Sequence, residues 1–229
     1  MSRQIPLIFL SCEVLKGVIS TPSPDRKNTH AKFLDSGLHA TPKKLNTQVQ
    51  EQIDGISESS IIVLGYGLCG NGLHGIKAGK HTLIIPKIPD CIALFMGGRE
   101  IFLEEFSKDP GTYYLTKGWL QAGTHPLAEY ERHIEKYGKE IADYVMDRQF
   151  QHYRRLMFVA HSQEDLEAYR PLAKQVAEFF KRWGMDYQEY LGTTDFITAL
   201  EQVLVDPSQT DEEFIIVHPG ETLTQDMFQ

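Results

Sequence analysis

Ile61, Ile62, Val63 and Leu64 follow one another without a polar residue and run into Gly65. A strand with one wet face alternates apolar and polar residues. An unbroken aliphatic run of strand length instead belongs to a strand buried on both faces, as in a parallel sheet covered by helices. The signature returns in IPLIFLS (5–11), HTLIIPK (81–87), RLMFVAH (155–161) and EFIIVHPG (213–220), with a weaker strand in HAKFLD (30–35) and a further strand in DYQEYLG (186–192).

Helical periodicity fills the intervals. After Thr41 and Pro42, which suit a helix start, Leu45, Val49, Ile53 and Ile56 fall on one face. Residues 71–80 read as a short, glycine-weakened helix, 89–106 as a helix opening at Pro89, and 127–151 as a long helix interrupted by Gly138. A helix over 165–184 begins at Pro171, because the residue before a proline disfavours the helical region. Residues 194–204 form another, and 113–120 stay ambiguous between strand and helix. The alternation predicts an α/β fold: a doubly wound, mostly parallel, Rossmann-like sheet with helices on both faces. At 229 residues the chain suits a single α/β domain over 1–229, with 110–150 as a helical insertion or cap.

Charge narrows the partners. A net charge of −8 and no lysine/arginine cluster argue against nonspecific binding to nucleic acid or anionic membranes. The apolar stretch near the N-terminus is too short to span a bilayer and no cleavage site marks a signal peptide, so the expectation is a cytoplasmic protein acting on a small molecule. Three cysteines, an odd number, make no disulfide framework.

Two readings compete for the glycine-rich loop after the 61–64 run. Gly65, Gly67 and Gly70 match G-x-G-x-x-G, with Asn71 opening the residues behind it, and Asp90 lies where an acidic ribose ligand is sought. That reading makes the loop a cofactor-binding turn for NAD or another nucleotide. Against it stand the bulky Tyr66 and Leu68 and the glycines at 72, 75 and 79. The second reading concerns sulfur. Cys12, Cys69 and Cys91 each fall just after a strand and at the start of a helix pattern. In an open parallel sheet those strand ends share the edge where ligands bind. Three thiolates with a vacant fourth position suit zinc or an iron-sulfur cluster with one open iron, although no C-x-x-C spacing is present. The competing explanation for each cysteine is a small buried hydrophobe.

Other residues point to the same edge. His161 and His218 each close a strand and offer a fourth ligand or an acid/base group. Glu13 and Asp90, each beside a cysteine, are candidates to orient ligands or move protons, and as acids in a first helical turn they also have a plain electrostatic role. Tyr113, Tyr114 and Trp119 read best as an aromatic packing cluster.

Taken as a set, SCEVL, FLDSGLH, LGYGLCGNG, IPDC and GTYYLTKGW resemble an uncharacterised bacterial and archaeal family known by a domain-of-unknown-function label. The resemblance covers about the first 120 residues. It implies that Cys12, Cys69 and Cys91 occupy motif positions, and it implies a genomic association with corrinoid-dependent methyltransferases for methylated amines or betaines. It supplies no reaction. The expectation carried forward is a metal-binding protein of one-carbon or methyl-group metabolism. The alternatives are a nucleotide-binding enzyme and a nonenzymatic accessory protein for a corrinoid protein or methyltransferase.

Overall fold

A computed structural model describes residues 5–20 and 29–229. Its strands are β1 (Leu7–Cys12), β2 (Thr29–Leu34), β3 (Ile61–Gly65), β4 (Thr82–Pro86), β5 (Thr112–Leu115), β6 (Arg155–Ala160), β7 (Asp186–Leu191) and β8 (Phe214–Val217). Its α-helices are α1 (Pro42–Asp54), α2 (Ile92–Met96), α3 (Arg99–Lys108), α4 (Lys117–Ala122), α5 (Pro126–Tyr137), α6 (Lys139–Phe150), α7 (Gln163–Phe180) and α8 (Asp195–Val205).

The chain divides into two compact units, Met1–Leu94 with Asp195–Gln229, and Phe95–Thr194. In the first, the strand order is β2-β1-β3-β4-β8. The β1 strand lies parallel to β2 and β3, and β3 parallel to β4, while β8 runs antiparallel to β4. Leu7, Phe9 and Leu10 of β1, Ile62, Val63 and Leu64 of β3, and Leu83 and Ile85 of β4 are buried, as aliphatic runs of central parallel strands require. Leu45, Val49 and Ile53 of α1 and Phe196, Leu200, Val203 and Leu204 of α8 add the buried stripes of two amphipathic helices. This mostly parallel five-stranded sheet with helices is the expected mixed α/β, Rossmann-like class.

The second unit holds the parallel sheet β5-β6-β7. Its core is aromatic: Phe150 and Phe180 pack with ring centroids 4.8 Å apart, and Tyr113 meets Phe180 edge-on at 5.4 Å. Edge-to-face contacts of this kind contribute beyond simple area burial. The segment expected as a helical insertion, 110–150, supplies this unit with β5, α4, α5 and α6.

Local departures have local causes. Residues 69–75 are consecutive turns, where a short helix is expected over 71–80. The Asn46 side chain donates to the carbonyls of Gly72 (3.1 Å) and His74 (2.8 Å), taking oxygens that a helix would use itself. The helix expected over 89–106 splits into α2 and α3 at Gly97 and Gly98. The 165–184 helix starts before Pro171, since the Ser162 hydroxyl caps the Asp165 N–H at 3.2 Å and the proline is absorbed inside α7. The ambiguous 113–120 stretch divides into β5 and the start of α4.

Candidate functional site

The first unit gathers its chemistry around the C-terminal ends of β1, β3 and β4. Parallel register sets Ser11 beside Gly65, so the last residues of β1 and β3 leave the sheet together. The Ser11 hydroxyl donates to the Gly65 carbonyl at 3.2 Å, and a Cβ on Gly65 would meet that hydroxyl oxygen at 2.3 Å. Cys12 then stands at the N-cap position of a short 3-10 turn, Glu13–Leu15, with no hydrogen bond from its side chain to the turn.

Beyond β3 the chain lies directly on the segment that follows β4. Leu68 N–H donates to Ile88 O at 3.0 Å and Cys69 N–H to Pro89 O at 2.9 Å. A Cβ on Gly67 would sit 2.7 Å from the Asp90 nitrogen. The Cys69 sulfur receives the backbone N–H groups of Gly67 and Cys91, which places it beside the third cysteine. Cys69 itself has φ 48° and Asn71 φ 69°, flanking Gly70 at 61°. A left-handed cysteine is costly backbone, on the order of 1–2 kcal/mol, and such strain persists where the surroundings fix it, commonly at functional sites.

Tyr66 stands at the centre of this arrangement. It is buried, its acidity is suppressed first by burial and then by the nearby sulfurs of Cys12, Cys69 and Cys91, and its hydroxyl has no hydrogen-bond partner among the described residues. A buried phenol without a partner forfeits a hydrogen bond that a ligand can supply. Burial also pushes the Cys12 thiol up to about 11 and raises Cys69 and Cys91 above the ordinary thiol value, with the Asp90 charge adding to each. The part-buried Asp90 carboxyl is itself raised by burial, against the Ile92 N–H it accepts at 2.7 Å. The edge is therefore lined by three protonated thiols, a neutral phenol and a carboxyl whose proton affinity is increased.

These observations correct the metal reading. Among the described residues no group of three or more His, Cys, Asp or Glu side chains is arranged to hold a metal ion. The zinc or iron-sulfur site expected from Cys12, Cys69 and Cys91 is withdrawn, and with it the reading of the chain as a metal-binding protein.

The glycine loop also differs from a dinucleotide fingerprint. Gly65 and Gly67 admit neighbouring chain, Ser11 and Asp90, and no helix follows Gly70 to turn its N-terminus on a pyrophosphate. Gly70 and Asn71 are exposed, and Asp90 is engaged with Ile92.

The two histidines part company with the thiols. Because β8 is antiparallel and Val217 pairs with Leu83 at the start of β4, His218 leaves the sheet at the edge opposite the thiols and is exposed. His161 directly follows β6 in the second unit, where its partners are Asp165 and, through charge, Lys117. Glu13 is part-buried beside Cys12 and its charge raises that thiol. Tyr113 packs against Phe150, Tyr153 and Phe180, a structural role. Tyr66 and Lys117 escaped sequence reasoning. A large aromatic between two glycines after a buried strand is the signal that marks Tyr66, while nothing in the spacing marks Lys117.

The family model described as Protein of unknown function (DUF1638) matches residues 33–200. No curated protein and no solved structure matches the chain. No described helix is long and apolar enough to cross a membrane.

Proposed function

The chain belongs to the DUF1638 family of proteins of unknown function, which fixes no reaction, and from the site itself we propose that it is a small-molecule enzyme of thiol-disulfide redox chemistry. The observation that carries the reading is the Cys69 sulfur against the Cys91 backbone, with Cys12 and the unpartnered Tyr66 hydroxyl around the same point. The substrate class is a small organic disulfide. One thiolate of the Cys69–Cys91 pair attacks a substrate sulfur and expels one substrate thiol. The other attacks the mixed disulfide, expels the second, and leaves a Cys69–Cys91 bond. Two electrons and two protons pass from the protein dithiol to the substrate.

Asp90 takes the proton of the attacking thiol, since raised proton affinity makes a carboxylate a better base. Suppressed thiol acidity leaves the reduced pair without thiolate stabilisation, so the dithiol is a strong reductant and each thiolate, once formed, a strong nucleophile. Tyr66 donates to an acceptor atom of the bound molecule. A corrinoid protein or methyltransferase of methyl-group metabolism enters this proposal as the macromolecular partner on the sequence resemblance alone, and anaerobic co-purification with that partner tests it.

Redox-buffer titration tests the enzyme reading. Equilibrated with graded thiol/disulfide mixtures, two of the three cysteines should titrate together as one two-electron couple, which Cys69→Ser or Cys91→Ser abolishes and Cys12→Ser retains. Three thiols that stay reduced across the range, or that oxidise independently, contradict it.

A further inference from the structure

We propose that the second unit carries its own small-molecule site, at the C-terminal edge of β5 and β6, where Lys117 and Thr116, with His161 alongside, bind an oxyanion group of the carboxylate or phosphate class. The Lys117 ammonium lies 2.6 Å from Asp165 Oδ2, and the His161 Nε2 lies 3.4 Å from the same oxygen. All three side chains are withdrawn from water, at 15%, 12% and 16% exposure for Lys117, His161 and Asp165. Taking a lysine and an aspartate out of water is a poor route to stability, because desolvation offsets most of their attraction. Such groups collected at the carboxyl edge of a parallel sheet have the placement of a ligand site.

Two further features point to a ligand. Thr116, one residue beyond β5, is 1% exposed, and its hydroxyl has no hydrogen-bond partner among the described residues. Lys117 carries three donors, of which Asp165 takes one. Asp165 is placed to orient rather than to bind. Ser162 caps its N–H, which fixes it in the first turn of α7, and its one oxygen faces both the ammonium and the imidazole. Burial, then the Lys117 charge, holds His161 towards its neutral form, against the pull of Asp165. The Phe95 ring, centred 5.7 Å from the imidazole, closes one side. An oxyanion accepting from the ammonium and the Thr116 hydroxyl satisfies the donors left open, while the single N–H of neutral His161 stays turned to Asp165.

The test uses the full-length protein with labelled histidine, following the His161 ring resonances while acetate and inorganic phosphate are added separately. A saturable shift in the millimolar range is expected with one or both probes, and the probe that saturates identifies the group. Lys117→Met should abolish it, Thr116→Val should weaken it about tenfold, the loss of roughly one hydrogen bond, and Lys117→Arg should retain it. Urea midpoints of the three variants establish that each is folded. No saturation with either probe, or a shift that persists in folded Lys117→Met, overturns the proposal.

Discussion

Gly67 and Asp90 meet backbone to backbone, so closely that a Cβ on the glycine would fall 2.7 Å from the Asp90 nitrogen and 2.8 Å from its Cα. This contact joins the loop bearing Cys69 to the turn bearing Cys91. No flexible side chain is available to yield, so Gly67→Ala must displace one of the two segments. The expected cost is about 1–3 kcal/mol, typical of overpacking, measured as a fall in the urea midpoint, together with loss of the paired oxidation of Cys69 and Cys91. Unchanged stability would mean that the loop and the turn move apart freely.

Burial of the Cys12 thiol makes stability depend on alkaline pH. Its ordinary value of 9.0 is raised to about 11 in the fold, so below pH 9 the thiol is protonated whether the chain is folded or not. Between 9 and 11 the unfolded chain releases a proton that the folded chain keeps, and rising pH favours unfolding by about 1.4 kcal/mol per unit for each such thiol. Cys12→Ala should show a shallower decline of unfolding free energy over that window than the parent protein, by about one proton's worth of slope. Equal slopes would place the Cys12 sulfur in water.

The Tyr66 hydroxyl separates function from stability. Since it lacks a partner among the described residues, Tyr66→Phe removes an unsatisfied buried group and should leave stability unchanged or raise it by about 1 kcal/mol. Turnover of a small disulfide by the same variant should fall, with the loss in KM. A destabilised variant would reveal a structural partner for the phenol.

In the second unit, Arg155 bridges strands and helix: its guanidinium donates to Glu105 Oε1 and Thr112 Oγ1, each at 2.8 Å, and to Gln188 at 3.2 Å. Arg155→Met leaves the buried Glu105 carboxylate with the more exposed Lys108, 3.0 Å from its other oxygen, as its remaining cation and should cost about 1–3 kcal/mol, whereas adding Glu105→Leu should recover much of it. Urea unfolding of the single and double variants gives the comparison.

Much of this architecture is legible in the residues themselves. Ile62–Leu64 and Leu156–Ala160 read as strands buried on both faces from their aliphatic runs, and the four-residue spacing from Leu45 to Val49 to Ile53 marks a helix stripe wherever it docks. The direction of β8 is not legible, because FIIV reads the same way up or down a sheet, and that ambiguity misplaced His218. The turns at 69–75 depend on Asn46, far along the chain, so a local reading sees a weak helix. For the site, strand-end position suffices to single out Cys12, Cys69 and Cys91. Whether three such side chains are arranged to share one ion depends on their placement in space, which spacing along the chain does not encode. Asp165, four residues after His161, is one helical turn away and lies within reach of pattern reasoning, whereas Lys117 arrives only through the pairing of β5 with β6.

The most direct test of the thiol account is peptide mapping without reductant after one equivalent of a two-electron oxidant is added to the fully reduced protein. The account predicts a single intramolecular link joining Cys69 to Cys91, with Cys12 left as a free thiol. Recovery of all three as free thiols, or of links only between separate chains, would contradict it.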